Sequence, residues 1–157
     1  MATAVNPKVR YIPSGSLAKV QLKAAASKTW KQGEFGYMSS GQVTPAVTGA
    51  IPYCIFAETQ AASTSANDLV WVYLLEEGCE IEIFCTNNGN DAAANNTNFP
   101  IGGLFDLYVA SNIHYIDQNA STDDTFLVLK HASDYEAGKN AVTDSPGKLL
   151  ARLMKVA

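Results

Sequence analysis

The segment Leu69-Val-Trp-Val-Tyr-Leu-Leu75, with Glu76-Glu-Gly78 and Cys79-Glu-Ile-Glu-Ile-Phe-Cys85 after it, decides the fold of this chain. Its first part is a short apolar run rich in β-branched and aromatic residues, which is typical of a core strand. Its last part alternates, and one strand face is made of Cys79, Ile81, Ile83 and Cys85. The glycine turn between the two parts predicts a β-hairpin over residues 69–85.

Further short strands are predicted on both sides of this segment. Their signals lie at residues 17–23, 34–38, 42–47, 51–57, 104–109, 113–117, 126–131 and 148–156. Pro45 suits an edge strand, because proline cannot donate a hydrogen bond to the ladder. Helical periodicity never exceeds two turns, although residues 134–137 could form one turn. The prediction is therefore an all-β fold, a single compact β-barrel or β-sandwich of eight to ten short strands.

Residues 1–16 differ from the rest of the chain. Pro7, Pro13 and Gly15 disfavour a helix, so this segment is predicted to be an extended N-terminal arm. Residues 17–157 form the β-domain in this interpretation. A frayed terminus is the alternative, but the apolar residues of the segment favour an arm that docks. Removing residues 1–13 is expected to leave a folded domain.

Charge is divided unevenly along the chain. Lys8, Arg10, Lys19, Lys23, Lys28 and Lys31 precede the first acidic residue. From there to Lys130 the sequence contains twelve carboxylates and neither lysine nor arginine. An acidic body repels nucleic acid and anionic membranes, whereas a basic leading segment can dock on an acidic protein surface. We expect protein partners, with neither nucleic acid nor membrane among them.

Residues that could perform catalysis or hold a metal are not grouped in the sequence. The histidines are His114 and His131, and Cys79 and Cys85 lie roughly 20 Å apart along an extended strand. The odd number of cysteines favours free buried thiols in a reducing compartment. No nucleophile motif or phosphate-binding glycine loop is present. The chain is therefore predicted to be a non-enzyme that needs no cofactor and no metal.

Trp30 stands between two lysines in the sequence Lys28-Thr-Trp-Lys-Gln32, in a predicted turn. Two interpretations follow from this position. The ring could cover one end of the barrel, or it could anchor a contact with a partner, because tryptophan is enriched at interface hot spots.

One stretch resembles a known family. Lys31-Gln-Gly-Glu-Phe-Gly-Tyr-Met-Ser-Ser-Gly-Gln-Val-Thr-Pro-Ala46 carries a turn, a short strand, a Ser-Gly pair and a V-x-P-A strand. Ile51-Pro-Tyr-Cys-Ile-Phe-Ala-Glu58 and the strand Trp71–Gly78 follow. This pattern, over residues 27–85, is similar to small head decoration (cement) proteins of tailed bacteriophages.

The resemblance implies a compact β-domain that binds the outside of an assembled capsid and stabilises it. The expected partners are the major capsid protein and further copies of the chain, as a homotrimer. The expected location is the exterior of the virion capsid, after synthesis in the host cytoplasm. The candidate contact residues are Lys8, Val9, Arg10, Tyr11, Ile12 and Trp30.

Two other functions fit the sequence. One is another virion component, such as a tail part or a jelly-roll coat subunit. The other is a carbohydrate-binding β-sandwich module, in which Trp30, Trp71 and Tyr73 would stack on sugars. Because Trp71 lies in the most apolar strand, core packing is the expected role of that side chain.

Overall fold

The computed structural model of the protein describes residues 3–136 and 145–156. This part of the chain has one short 3₁₀ helix, Ala132–Asp134, and the following twelve strands. They are β1 (Lys8–Tyr11), β2 (Lys19–Lys23), β3 (Phe35–Ser39), β4 (Gln42–Pro45), β5 (Cys54–Phe56), β6 (Leu69–Leu74), β7 (Glu80–Asn87), β8 (Asn90–Asp91), β9 (Leu104–Ala110), β10 (Ile113–Asp117), β11 (Phe126–His131) and β12 (Lys148–Leu153). The all-β class is confirmed.

The number of strands exceeds the predicted eight to ten for two reasons. β1 lies inside the predicted arm, and β8 lies between residues 85 and 104, where no strand was predicted. The helical turn that was predicted over 134–137 begins earlier, at Ala132, and Ala137 lies outside the described residues.

Five strands of the first sheet close into a barrel. β7 pairs with β10 in parallel and with β12 antiparallel, and β10, β9, β11 and β12 follow one another around the ring. Alternate residues of β7 point inward, as the sequence predicted. Their side chains fill the barrel together with those of neighbouring strands, and the fully buried members include Ile81, Ile83, Cys85, Leu107, Ile116 and Phe126.

The second sheet has the order β2-β6-β5-β3-β4. Pro45 lies on its edge strand, as predicted. A parallel bridge joins Ala24, just after β2, to Val43 of β4. The two ends of the sheet therefore meet, and the sheet is curled. The concave side encloses a separate core, whose buried residues are Ala24, Trp30, Val43, Cys54, Phe56, Val70 and Val72.

The predicted hairpin over residues 69–85 is wrong. β6 pairs with β2 and β5, whereas β7 belongs to the barrel. The turn itself exists, but the Gly78 N–H donates to Leu153 O rather than back to β6. Residues 75–79 therefore carry the chain from one sheet to the other. Turn residues in a sequence indicate where the chain changes direction. They do not indicate whether the strands on either side of the turn pair with each other.

An extended arm separate from the domain is not what the structure shows. β1 pairs antiparallel with the first half of β7, with Lys8 opposite Glu82 and Val9 opposite Ile81. β12 occupies the other side of β7, and β10 pairs farther along, from Phe84 onward. The leading segment thus lies outside the closed ring and covers the part of the β7 edge that β10 leaves unpaired.

Candidate partner-binding surface

The predicted contact residues in β1 and just after it divide between two faces. Val9 and Ile12 are partly buried and pack against the barrel core. Lys8 and Arg10 are exposed, and Tyr11 has 53% of its surface exposed. The inward pair fixes the strand, and the outward three remain available to a partner.

A charged cluster fastens β1 to the barrel. The Arg10 guanidinium donates to Glu82 Oε1 at 2.9 Å, and Lys148 Nζ lies 3.5 Å from the same oxygen. The Tyr135 hydroxyl donates to Glu82 Oε2 at 3.2 Å. The pKa of the Tyr135 hydroxyl is raised, mainly by burial and to a smaller extent by the negative charge of Glu82. Because half of the Arg10 side chain is exposed, solvent screens its ion pair, and its main effect is to set geometry.

No pattern in the sequence indicated this charged cluster. Glu82 is a buried carboxylate on the outer side of β7, and its partners Arg10 and Tyr135 are 72 and 53 residues away. Only the β1–β7 pairing and the 3₁₀ helix bring these groups together.

An apolar groove separates β1 from the second sheet. Its cavity is about 360 Å³ and is lined by Val9, Ile12, Gly15, Ser16, Leu17, Ile55 and Tyr73. The groove therefore runs from the back of β1 to the outer face of β6.

The outer face of β2 and β6 is basic and aromatic. Lys19, Gln21 and Lys23 lie opposite Tyr73, Trp71 and Leu69, respectively. The basic face that the sequence predicted for residues 17–23 is confirmed. The prediction that Trp71 packs in the core is wrong, because 40% of its surface is exposed. Val70 and Val72 fill the core instead, since only alternate residues of β6 point inward.

Trp30 lies inside the second core. It is 4% exposed, its ring stacks on Phe56 with centroids 4.1 Å apart, and its Nε1–H donates to Glu58 O at 2.9 Å. This placement favours the covering role of Trp30 over the partner-anchoring role.

His114 meets an acid in the interior of the molecule. Its Nε2 lies 3.1 Å from Glu34 Oε1, and the two side chains are almost fully buried. Glu34 also accepts a hydrogen bond from the Lys31 N–H, and the Phe35 ring contacts the imidazole edge-on. The pair joins the segment before β3 to β10, and so joins the second sheet to the barrel.

His131 has structural partners. Its Nε2 lies 2.7 Å from Phe99 O, and its backbone N–H donates to Asp134 at the start of the 3₁₀ helix. Among the described residues, no hydrogen bond of either histidine involves a thiol or a hydroxyl. The two imidazoles therefore support the fold.

Two buried aspartates hold turns. Asp106 accepts hydrogen bonds from the N–H groups of Thr122, Asp123 and Asp124, and Asp117 accepts from those of Asn88 and Asn119. The sequence pattern did not indicate that these two carboxylates are buried. Loop N–H groups that need an acceptor leave no periodic signal in a sequence.

Over residues 3–136 and 145–156, no group of three or more His, Cys, Asp or Glu side chains could hold a metal ion. Within the same ranges, no helix is long and apolar enough to cross a membrane. No protein-family model matches this chain, and searches of curated proteins and of solved structures found no significant match.

Proposed function

We propose that this protein decorates the outside of an assembled bacteriophage capsid and stabilises the shell. The sequence pattern over residues 27–85 supports this proposal through its resemblance to phage cement proteins. The observation that carries it in three dimensions is the exposure of Lys8, Arg10 and Tyr11 on a strand that the barrel holds rigidly. The partners in this proposal are the major capsid protein and two further copies of the chain.

The mechanism of stabilisation is the repetition of modest contacts. A shell presents the same acidic and apolar features many times, and a trimer engages several of them at once. Linked contacts dissociate far more slowly than one contact alone, so weak individual sites give persistent coverage. A preformed β1 also helps, because the chain does not lose conformational entropy by ordering that strand on the shell.

The contact face combines charge with an aromatic anchor. Lys8 makes no ion pair with the described residues, and Arg10 keeps half of its side chain in solvent while it holds Glu82. Tyr11 adds a large, exposed amphipathic ring. Cations steer association with an acidic surface, and a buried aromatic supplies most of the affinity at typical interfaces.

Co-sedimentation with shells assembled from the major capsid protein of the same genome tests the proposal. We expect the wild-type chain to sediment with the shells. The variant Lys8→Glu/Tyr11→Ala should bind at least about tenfold more weakly, because it reverses a charge and removes the aromatic anchor. Lys23→Glu is the matched control, since Lys23 is an exposed lysine at the end of β2, in the second sheet.

Equal sedimentation of the contact variant and the wild-type chain would remove β1 from the interface. Failure of every form to sediment, or a genome without a capsid gene, would reject the shell role. The alternative of a tail part or coat subunit predicts that the pure protein assembles into tubes or shells. Electron microscopy of the concentrated protein distinguishes that outcome from a discrete trimer.

A further inference from the structure

The outer face of β6 carries an exposed indole that has hydrogen-bonding groups on both sides. Trp71 borders a cavity of about 70 Å³ that is lined by Trp30, Glu58, Gln60, Leu69, Val70 and Trp71. On its other side, Gln21 of β2 is the residue paired with Trp71, and its side chain is exposed. We propose that this face binds a neutral saccharide, with a sugar ring stacked on Trp71.

Shape is the first argument for a sugar. A pyranose ring has apolar C–H groups on its faces and hydroxyls around its edge, so it needs an aromatic surface with polar neighbours. Trp71 supplies the surface, and Tyr73 extends it, because residues two apart on one strand face lie roughly 7 Å apart. The resulting aromatic platform fits two successive sugar units.

The polar groups around Trp71 are the second argument. β6 lies between β2 and β5, so Lys19 and Gln21 flank the indole on one side, and Glu58 and Gln60 flank it on the other. A sugar hydroxyl both donates and accepts hydrogen bonds. The Lys19 ammonium is a donor and the Glu58 carboxylate is an acceptor. The side-chain amides of Gln21 and Gln60 each offer an acceptor oxygen. No described residue forms an ion pair with Lys19 or Glu58.

Charge is the third argument, and it indicates a neutral ligand. A polyanion would gain from Lys19 and Lys23 but would be repelled by Glu58, and a polycation would meet the opposite forces. A ligand without net charge uses these groups as hydrogen-bond partners.

The Lys19 ammonium lies over the aromatic platform. Its Nζ lies 5.4 Å from the Trp71 ring centroid and 5.8 Å from that of Tyr73. A cation–π contact in solvent is weak, so a sugar ring can displace the ammonium. The long lysine side chain then places its donors beside the hydroxyls of the sugar. This site does not depend on the shell role, because none of its groups belongs to β1.

Tryptophan fluorescence tests the site directly. The chain has two tryptophans, Trp30 and Trp71, and both line the cavity, so a ligand-dependent change in emission reports on this face of the molecule. The ligands are cello-, xylo-, malto-, manno- and chito-oligosaccharides, with polygalacturonate and poly-glutamate as the anionic probes. We expect saturable binding of at least one neutral series, with a dissociation constant of about 1 mM or tighter.

Calorimetric titration of variants then assigns the binding to this face. Trp71→Ala should weaken it about tenfold or more, and Glu58→Gln should weaken it about threefold. Ile101→Ala is the control, because Ile101 is 50% exposed and does not line the cavity. Circular dichroism confirms that each variant is folded, and shell co-sedimentation should be unchanged in all three.

Three outcomes would overturn the proposal. The first is that no neutral oligosaccharide of the panel binds. The second is that Trp71→Ala binds as tightly as the wild-type chain. The third is that poly-glutamate or polygalacturonate binds more tightly than any neutral series, which would make the face a docking surface for acidic polymers.

Discussion

The buried pair of Glu34 and His114 is the most consequential contact between single residues in this protein. Two almost fully buried polar side chains meet at 3.1 Å where the second sheet joins the barrel. His114 Nδ1 is also buried and has no hydrogen-bond partner among the described residues. The pair is therefore costly to break, because the imidazole has no other side-chain partner among the described residues and Glu34 would keep only the Lys31 N–H.

His114→Ala should lower the free energy of unfolding by about 3–5 kcal/mol, because it leaves a buried carboxylate without its imidazole partner. Glu34→Gln should cost less, since an amide can still bond to the ring without carrying a charge into the core. Urea denaturation followed by circular dichroism measures both values. A loss below about 1 kcal/mol for His114→Ala would contradict this role for the pair.

The cysteines make a second prediction about single residues. Burial raises the pKa of the Cys54 thiol from 9.0 to about 12, and it raises the pKa of Cys85 well above the ordinary value. Thiolate, not thiol, reacts with disulfide reagents. At pH 8 the native protein should therefore react slowly with Ellman's reagent, whereas all three thiols should react at once after unfolding in guanidinium.

These shifts also set the direction of a pH effect. Both states keep the Cys54 thiol protonated below about pH 9, so the native state loses nothing there. Above that pH the unfolded chain ionises first, and the contribution of Cys54 to stability falls until about pH 12.

In the thiol-reactivity test, rapid stoichiometric reaction of the native protein with Ellman's reagent at pH 8 would show that the thiols are accessible.

Among the elements, the strands were easier to predict than their partners. Alternation in residues 79–85 identified β7 and its inward face, and the period of two in residues 17–23 identified β2 and its basic face. Hydrophobic periodicity reports which face of a strand is buried, and it does not report the neighbouring strand. The hairpin between β6 and β7 was wrong for that reason.

The candidate partner-binding surface could be predicted only in part, again because a sequence pattern does not identify the neighbouring strand. The sequence indicated the basic and apolar residues of β1 but not their division between two faces, because that division depends on pairing with β7. It assigned Trp71 to the core, although an apolar run of strand length can still expose every second side chain. The Glu82 cluster depends on contacts between residues far apart in the chain.

β1 supports a prediction that differs from the one made from the sequence. Deleting residues 1–13 removes the pairing with β7 and the core contacts of Val9 and Ile12. The lost burial is worth about 2 kcal/mol or more, so the melting temperature should fall by about 5 °C or more. Differential scanning calorimetry measures this change, with Tyr11→Ala as the control because Tyr11 is exposed.

A truncated chain that melts within about 1 °C of the full-length protein would show that β1 is dispensable for folding. Truncation alone cannot distinguish a binding role of β1 from a folding role. The outward substitutions at Lys8 and Tyr11 are the better test of binding, because they leave Val9 and Ile12 in place.

At the scale of the whole molecule, two hydrophobic cores support faces of different chemistry. β1 presents cations and a tyrosine on one face, and β2 with β6 presents the aromatic platform on another. The apolar groove lies between them. This arrangement lets the proposed shell contact and the proposed saccharide site operate at the same time on one copy.

The most direct test of the shell role is cryo-electron microscopy of capsids incubated with this protein. We expect additional density on the outer surface of the capsid at local symmetry positions, with the outward side of β1 against the shell. The Lys8→Glu/Tyr11→Ala variant should leave those positions empty. Bare capsids at saturating protein, or density in which β1 faces away from the shell, would contradict this expectation.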